Sequence, residues 1–261
     1  MTDEYIGELD IDERRKKIIE YLNKEGKVKV TDLSRLFGIS EVTIRNDLSE
    51  LEDNGLLERI HGGALSTNKP YYNMSLLDRM KTNEEEKRRI AEACASLVSS
   101  GDTIMINSGT TTLYAAQEMK NIKNLTIVTN SLTIAQEVGY MSNIQLILLG
   151  GYFNWDYMFT YGDDTVNNLK KYKADKLILS ADGIDIEGGI TTYHHLEAEV
   201  CRQMITRVNK TIIAADFTKI GRTSFAYIDS IKSADILVTN LKANQDEIGM
   251  IKEKEIDIKL V

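Results

Sequence analysis

Four hydroxyls flank one glycine in Asn107-Ser108-Gly109-Thr110-Thr111-Thr112, directly after the apolar run 103–106. A glycine lets the backbone close on a ligand, and hydroxyls beside the free N–H groups of a helix start suit a phosphate. Comparable polar sets follow later apolar runs: Thr129-Asn130-Ser131, Gly150-Gly151, Ala181-Asp182-Gly183-Ile184-Asp185 and Asp216-Phe217-Thr218-Lys219. Lys219 offers a charge-assisted contact to an anion. The carboxylates Asp182, Asp185 and Glu197 could instead move a proton beside a carbonyl while Lys219 polarises its oxygen, the requirements of a sugar isomerase. His194, His195, Glu197 and Glu199 are metal-ligating types within six residues, but no cysteine cluster or further histidine stands near to complete a site. A different chemistry is offered by Ser40, Glu41, Thr43, Arg45 and Asn46, with Arg59, His61 and Gly62 further on. These are donors and acceptors of the kinds that read base edges and phosphates.

The elements that must position these residues follow from periodicity. Residues 31–54 read as two short helices joined by a glycine turn. The first starts on Thr31 and buries Leu33, Leu36 and Phe37; Gly38 ends it; Ser40 caps the second, whose Ile44, Leu48 and Leu51 fall at i, i+4 and i+7. Glu41, Thr43, Arg45 and Asn46 are left outside. Upstream, residues 14–24 give a third helical period through Ile18, Ile19 and Leu22, and residues 56–66 alternate around Gly62-Gly63 as a hairpin. The sum is a three-helix core with a wing and a helix-turn-helix at 28–47, a shape that sets a helix in the major groove of DNA. An ordinary helical hairpin with charged outer faces is the plainer alternative, against which turn, cap, apolar spacing and wing agree.

Residues 83–97 open a second region, with Asn83 as helix cap, three glutamates on the positive end of the helix dipole, and Ile90, Ala93, Cys94 and Leu97 inward. β-rich runs at 103–106, 125–128, 144–149, 176–180, 211–214 and 236–238 then alternate with helix-length connections, and 256–261 reads as an edge strand. That alternation predicts an α/β, doubly wound, mostly parallel sheet with right-handed crossovers. The polar sets then lie at carboxyl ends of strands, the edge where open α/β sheets bind ligands.

Composition agrees with two cores: 261 residues, 42% of them hydrophobic, hold one small and one larger domain. The formal net charge of −8, together with Glu41, Asp47 and Glu50 on the reading helix, discourages bulk attraction to a polyanion. DNA affinity must come from local geometry, through Lys27, Lys29, Arg35, Arg45, Arg59 and His61, doubled by dimerisation. No run approaches the ~20 apolar residues of a membrane span, and residues 1–12 lack the basic and apolar regions of a signal peptide. The expectation is a cytoplasmic protein without membrane contact. Cys94 and Cys201 read as small core residues, while Tyr152, Tyr157, Tyr161 and Trp155 line either a pocket or a subunit contact. Pro70, the single proline, lies in the polar stretch 66–72 and marks a linker. The expected boundaries are therefore 11–66, a linker at 67–82, and 83–261.

Thr-Ile-Arg-Asn-Asp-Leu at 43–48, Leu-Glu-Asp-Asn-Gly-Leu-Leu-Glu-Arg at 51–59 and His-Gly-Gly-Ala at 61–64 resemble the amino-terminal domain of DeoR-family bacterial repressors. The second region is similar to the sensor half of the same family, related in fold to ribose-5-phosphate isomerase, and the two likenesses cover nearly all the chain from about Arg14. By resemblance the family's phosphate loop falls on Ser108, Gly109, Thr110, Thr111 and Thr112, and its Thr-Asn-Ser on Thr129, Asn130 and Ser131. Its Gly-Gly falls on Gly150 and Gly151, its acidic turn on Asp182 and Asp185, its glutamate on Glu197 and its lysine on Lys219. Asn46 stands where the family usually has a second arginine, Asn107 where many members have aspartate, Cys201 where many have lysine, and Phe217 replaces a hydroxyl. The resemblance implies a transcriptional repressor of a carbohydrate-metabolism operon, not an enzyme, with neither cofactor nor metal. It would bind double-stranded operator DNA as a homo-oligomer, dimer or tetramer, under control of a phosphorylated sugar or related metabolite.

Overall fold

The computed structural model describes residues 10–25, 27–53, 56–66 and 74–261. Pro70, with residues 67–73 of the expected linker, lies outside them. Contacts divide the chain into two compact units, Met1–Ser75 and Leu76–Val261.

The first unit contains α1 (Ile11–Glu25), β1 (Lys27–Lys29), α2 (Val30–Phe37), α3 (Glu41–Asp53), β2 (Leu57–Ile60) and β3 (Gly63–Ser66). Ile18, Leu22, Leu33, Phe37, Ile44, Leu48 and Leu51, whose spacing predicts the three helices, meet in one core, with Ile19 and Leu36 half-buried at its rim. Helix α2 begins at Val30 rather than Thr31, and no side chain caps it. The reason is burial: β1 runs straight into the helix and Val30 is buried, whereas Thr31 is exposed. Gly38 ends α2 in the left-handed region, φ 67°, and returns its N–H to the Ser34 carbonyl. The wing is the antiparallel sheet β1-β3-β2. A Cβ on Gly63 would lie 2.0 Å from the Val28 carbonyl oxygen, so the strands approach this closely only over a glycine.

The second unit opens with α4 (Leu76–Lys81) and α5 (Glu84–Ala95), so part of the stretch expected as linker is helix. It continues through β4 (Thr103–Ile106), α6 (Thr110–Glu118), β5 (Leu125–Thr129), α7 (Leu132–Val138), β6 (Ile144–Leu148), the hairpin β7 (Tyr152–Asn154) and β8 (Phe159–Tyr161), and α8 (Asp163–Leu169). Then follow β9 (Ala174–Leu179), β10 (Gly183–Asp185), β11 (Gly189–Thr192), α9 (His195–Ile205), β12 (Val208–Ala214), β13 (Ala226–Asp229), β14 (Ile236–Thr239), α10 (Gln245–Lys252) and β15 (Asp257–Leu260).

The main sheet has seven strands in the order β15-β14-β12-β9-β4-β5-β6, every neighbouring pair parallel. Strand alternation divides its side chains between two faces. Ile104 and Ile106 belong to one core cluster with Ile90 of α5, Ala115 of α6 and Ile134 of α7, while Met105 belongs to the other, with Leu169 of α8, Val200 of α9 and Ile251 of α10. Asn83 occupies the cap position of α5 but is left-handed, φ 51°, and makes no side-chain cap bond; the buried stripe of that helix is Ile90, Ala91 and Cys94, with Ala93 and Leu97 only partly covered. Both cysteines are buried, which pushes the Cys94 thiol up to about 12 and the Cys201 thiol well above its ordinary value. Two small antiparallel sheets, β10-β11-β13 and β7-β8, rise beside the main one. Their three- and four-residue strands are too short to carry a readable period. Among the described residues no helix is long and apolar enough to cross a membrane.

Candidate DNA interface and effector crevice

At the head of α3, Ser40 is a working cap: its Oγ accepts from the Thr43 N–H at 3.1 Å and lies 2.9 Å from the Thr43 hydroxyl. Arg45 and Asn46 are exposed, and the Arg45 guanidinium donates to the Glu41 carboxylate one turn earlier. Val42 is 63% exposed on the same turn, an apolar side chain that reading for polar types passes over. Asp47 is a correction. It is no exposed acid weakening the approach to DNA but is 3% exposed, its carboxylate accepting from Arg14 Nε at 2.7 Å, Arg14 Nη2 at 3.1 Å and Arg15 Nε at 3.1 Å. This fork fastens α1 to α3 over 33 positions, a separation that no local pattern reveals. Arg59 ties the wing to the far end of α3, its N–H donating to Glu52 Oε1 at 2.9 Å and its Nη1 to Ser49 Oγ at 3.1 Å. His61 and Gly62 are exposed at the wing turn, where Gly62 has φ 79°.

In the second unit the chain adds β5 and β6 on one side of β4 and then returns with β9 on the other. The topological switch point therefore lies between β4 and β9, where an open α/β sheet leaves a crevice at its carboxyl edge. Asn107 stitches the two strands, its Oδ1 accepting from Ser180 N at 2.8 Å and its Nδ2 donating to Ser180 O at 3.1 Å. Gly109 lets the loop close here, since a Cβ would meet Ser180 Oγ at 2.1 Å. Ser108 Oγ donates to Glu197 Oε1 of α9 at 2.6 Å. Thr110, Thr111 and Thr112 are buried at the start of α6, where the Thr112 hydroxyl donates to Asn107 O at 2.9 Å.

After β5, Thr129, Asn130 and Ser131 are fully buried. Thr129 Oγ1 accepts from Ser131 N and Ser131 Oγ from Ile134 N, so these two build the turn and cap α7. Asn130 Nδ2 donates to Thr160 O at 3.1 Å, whereas the buried Oδ1 finds no hydrogen-bond partner among the described residues. Asp182, after β9, is held by Thr192 Oγ1 at 3.1 Å and Tyr193 N at 2.8 Å. Lys219 is buried on the helical turn Phe217–Lys219 after β12, the strand beside β9; Asp216 caps that turn.

Two expected residues stand apart from this group. Asp185 Oδ1 accepts from Glu187 N and Gly188 N in the β10–β11 turn, and the acid it faces is Glu247 of α10. Gly151 packs on α8, where a Cβ would meet Thr165 Oγ1 at 2.0 Å. The histidine–glutamate set also separates. His195 and Glu199 are exposed, Glu199 pairing with Arg202, while His194 and Glu197 turn inward.

Glu197 is 5% exposed, and burial pushes its carboxyl up to about 7 against the Ser108 hydroxyl, which favours the ionised form; Asp182 adds to the rise. His194 lies against Tyr157, ring centres 3.7 Å apart, and burial lowers its pKa despite Asp182, leaving a neutral imidazole at pH 7. Tyr157 in turn carries a residue absent from the sequence reading, Arg79 of α4, whose guanidinium carbon stands 4.2 Å over its ring. Arg79 is 8% exposed, and its backbone carbonyl accepts from the buried Lys87 Nζ at 2.5 Å. In the sequence it is one cation of Asp78-Arg79-Met80-Lys81, with nothing to mark it.

A winged helix-turn-helix and a doubly wound domain with a polar crevice at its switch point define a DNA-binding regulator with a sensor domain. The chain belongs to the DeoR family: residues 14–70 match the DeoR-like helix-turn-helix domain and residues 82–241 the DeoR C terminal sensor domain. Among curated relatives, the HTH-type transcriptional regulator GolR of Listeria innocua is 34% identical, with 95% of this chain and 98% of the relative covered. The glycerol-3-phosphate regulon repressor of Escherichia coli is 31% identical with the same coverage. The HTH-type transcriptional repressor GlcR of Bacillus subtilis is 30% identical, 95% of each chain being covered. Ribose 5-phosphate isomerase A of Methanocaldococcus jannaschii aligns at 16% identity and TM-score 0.39 over 52% of this chain and 54% of its own, too slight to carry the isomerase comparison further. The protein is a regulator of transcription, not an enzyme.

Proposed function

We propose that the crevice binds a phosphorylated sugar or related metabolite, and that occupancy alters how a homo-oligomer of this chain, dimer or tetramer, presents its winged helices to operator DNA in the cytoplasm. The observation that carries this is the buried polar bridge from Ser108 to Glu197 across the switch point, with Asp182 and the vacant Asn130 Oδ1 beside it. Hydroxyls of a sugar satisfy such groups, and the N–H groups opening α6 suit its phosphate. The relative named for glycerol-3-phosphate supports the ligand class, and the relatives named as repressors support repression of a carbohydrate operon. Regulation requires that the ligand prefer one arrangement of the assembly, because equal affinity for two arrangements shifts neither.

The first test is thermal stabilisation of the full chain by a panel of phosphorylated sugars, each against its unphosphorylated parent. A true effector at 100 times its Kd adds about 2.7 kcal/mol to the stability of the folded state. Equal stabilisation by the parents, or none by any member of the panel, removes the phosphorylated-sugar reading.

On the DNA side, Thr43, Arg45 and Asn46 enter the major groove with Val42 against a thymine methyl, flanked by Ser40 and Glu41. The wing at Arg59, His61 and Gly62 meets backbone or minor groove. Arg45→Ala lowers affinity for an operator selected from random duplexes by about 10- to 100-fold, through the loss of one bidentate base contact. Fluorescence anisotropy with that duplex reads the change, and unaltered affinity takes Arg45 out of the interface.

A further inference from the structure

Arg79 is nine-tenths buried, yet among the described residues its guanidinium makes no ion pair and its Nε, fully enclosed, no hydrogen bond. Its one described contact is the face of Tyr157, 4.2 Å away. Enclosing a guanidinium without an anion is unfavourable, and an aromatic face offsets only part of that. Nor is the side chain free to leave by swinging its helix. Lys87 Nζ of α5 holds the Arg79 carbonyl, and Tyr114 of α6 donates to the next carbonyl, Met80 O, at 3.4 Å. Among the described residues no carboxylate forms an ion pair with it: Tyr157 lies tilted against His194, Asp182 Oδ2 accepts from Thr192 and Tyr193, and Asp182 and Asp156 act on Tyr157 and His194 through their charge.

We infer that Arg79 is the anion anchor of the crevice, its planar fork receiving two oxygens of a phosphoryl group while the Glu197 and Asp182 side takes hydroxyls. The inference rests on the crevice being the effector site. It adds to the start of α6 a side-chain anchor supplied by the short helix before α5. An arginine fork matches a phosphoryl group bidentately and is more weakly hydrated than an ammonium, so it suits an enclosed anion site. The site thereby favours ligands with a dianionic group at one end and hydroxyls at the other.

The test uses the full chain at pH 7.5 with inorganic phosphate as probe, melting temperature being followed against sodium chloride of equal ionic strength. Phosphate stabilises the wild type; Arg79→Gln weakens apparent phosphate affinity at least tenfold and, without phosphate, melts no lower than the wild type. Arg89→Gln, an exposed cation of α5, keeps the wild-type response. Phosphate bound at the DNA-reading head is indifferent to Arg79, so a response equal in wild type and Arg79→Gln overturns the inference, as does a wild type that ignores phosphate. If Arg79→Gln does not fold, Arg79→Lys is read instead. It keeps the charge without the fork, so several-fold weaker phosphate binding supports the anchor and unchanged binding overturns it. A phosphate response that depends on Arg79, with no phosphorylated sugar better than its parent, leaves the anchor standing and removes the sugar-phosphate reading. Phosphorylated sugars that stabilise wild type and Arg79→Gln equally do the reverse.

Discussion

Asp47→Ala destabilises the amino-terminal unit by about 3–5 kcal/mol, the range for removing one partner of a buried ion pair. Three N–H groups of Arg14 and Arg15 converge on that carboxylate, and Asp47 and Arg14 are both buried. Truncation therefore leaves the Arg14 guanidinium enclosed without its anion. A core of this size supplies only a few kcal/mol of net stability, so the loss unfolds a large fraction of the unit at 25 °C and DNA binding goes with it. Amide hydrogen exchange reads the two units separately: protection across α3 collapses while protection in β4 and β9 persists. Protection in α3 that survives the substitution would mean the pair is solvent-screened and α1 holds α3 by apolar contact alone. Asp47→Asn, which keeps an acceptor for one arginine, falls between the two.

Glu197→Gln acts in the opposite direction on the second unit. Its carboxyl is pushed from 4.5 in the unfolded chain to about 7 in the folded one, chiefly by burial. Between those values the folded state holds a proton that the unfolded state has released, so Glu197 lowers stability as pH rises through this window, and the loss is complete above about pH 7. A shift of that size amounts to about 3 kcal/mol. Glutamine keeps an oxygen for the Ser108 hydroxyl and carries no charge. The variant therefore melts several degrees above the wild type at pH 8 and alongside it at pH 4.5. A melting-temperature difference that is flat with pH would show that Glu197 does not titrate in this window. If the crevice binds a sugar as proposed, the gain in stability accompanies a weaker response to that ligand, because an amide cannot offer the ionised acceptor that a sugar hydroxyl prefers.

Residues whose surroundings are local are legible in the sequence. Ile44, Leu48 and Leu51 at helical spacing, Gly38 at the turn and Ser40 at the cap specify the helix-turn-helix, because each acts within a few positions of itself. The alternation of apolar runs with helix-length connections specified a parallel sheet and put Ser108, Asn130, Asp182 and Lys219 at its carboxyl edge, because a parallel pair needs a crossover. Helix α2 starts at Val30 rather than Thr31 because burial outweighs a hydroxyl cap, and the antiparallel strands β10, β11 and β13, of three or four residues each, are too short to carry a readable alternation.

What the sequence by itself determined is the pair of domains, the family and the place of most of the polar loops at the carboxyl ends of the strands. What only the tertiary structure decided is which of those residues face one another. Strand order puts the switch point between β4 and β9 and so joins Ser108 to Glu197, 89 positions apart, while sending Asp185 toward Glu247. Burial turns Asp47 from a repulsive surface charge into a structural one and encloses Arg79 over Tyr157. Desolvation and pairing depend on neighbours distant in the chain, and no periodicity in a sequence records them.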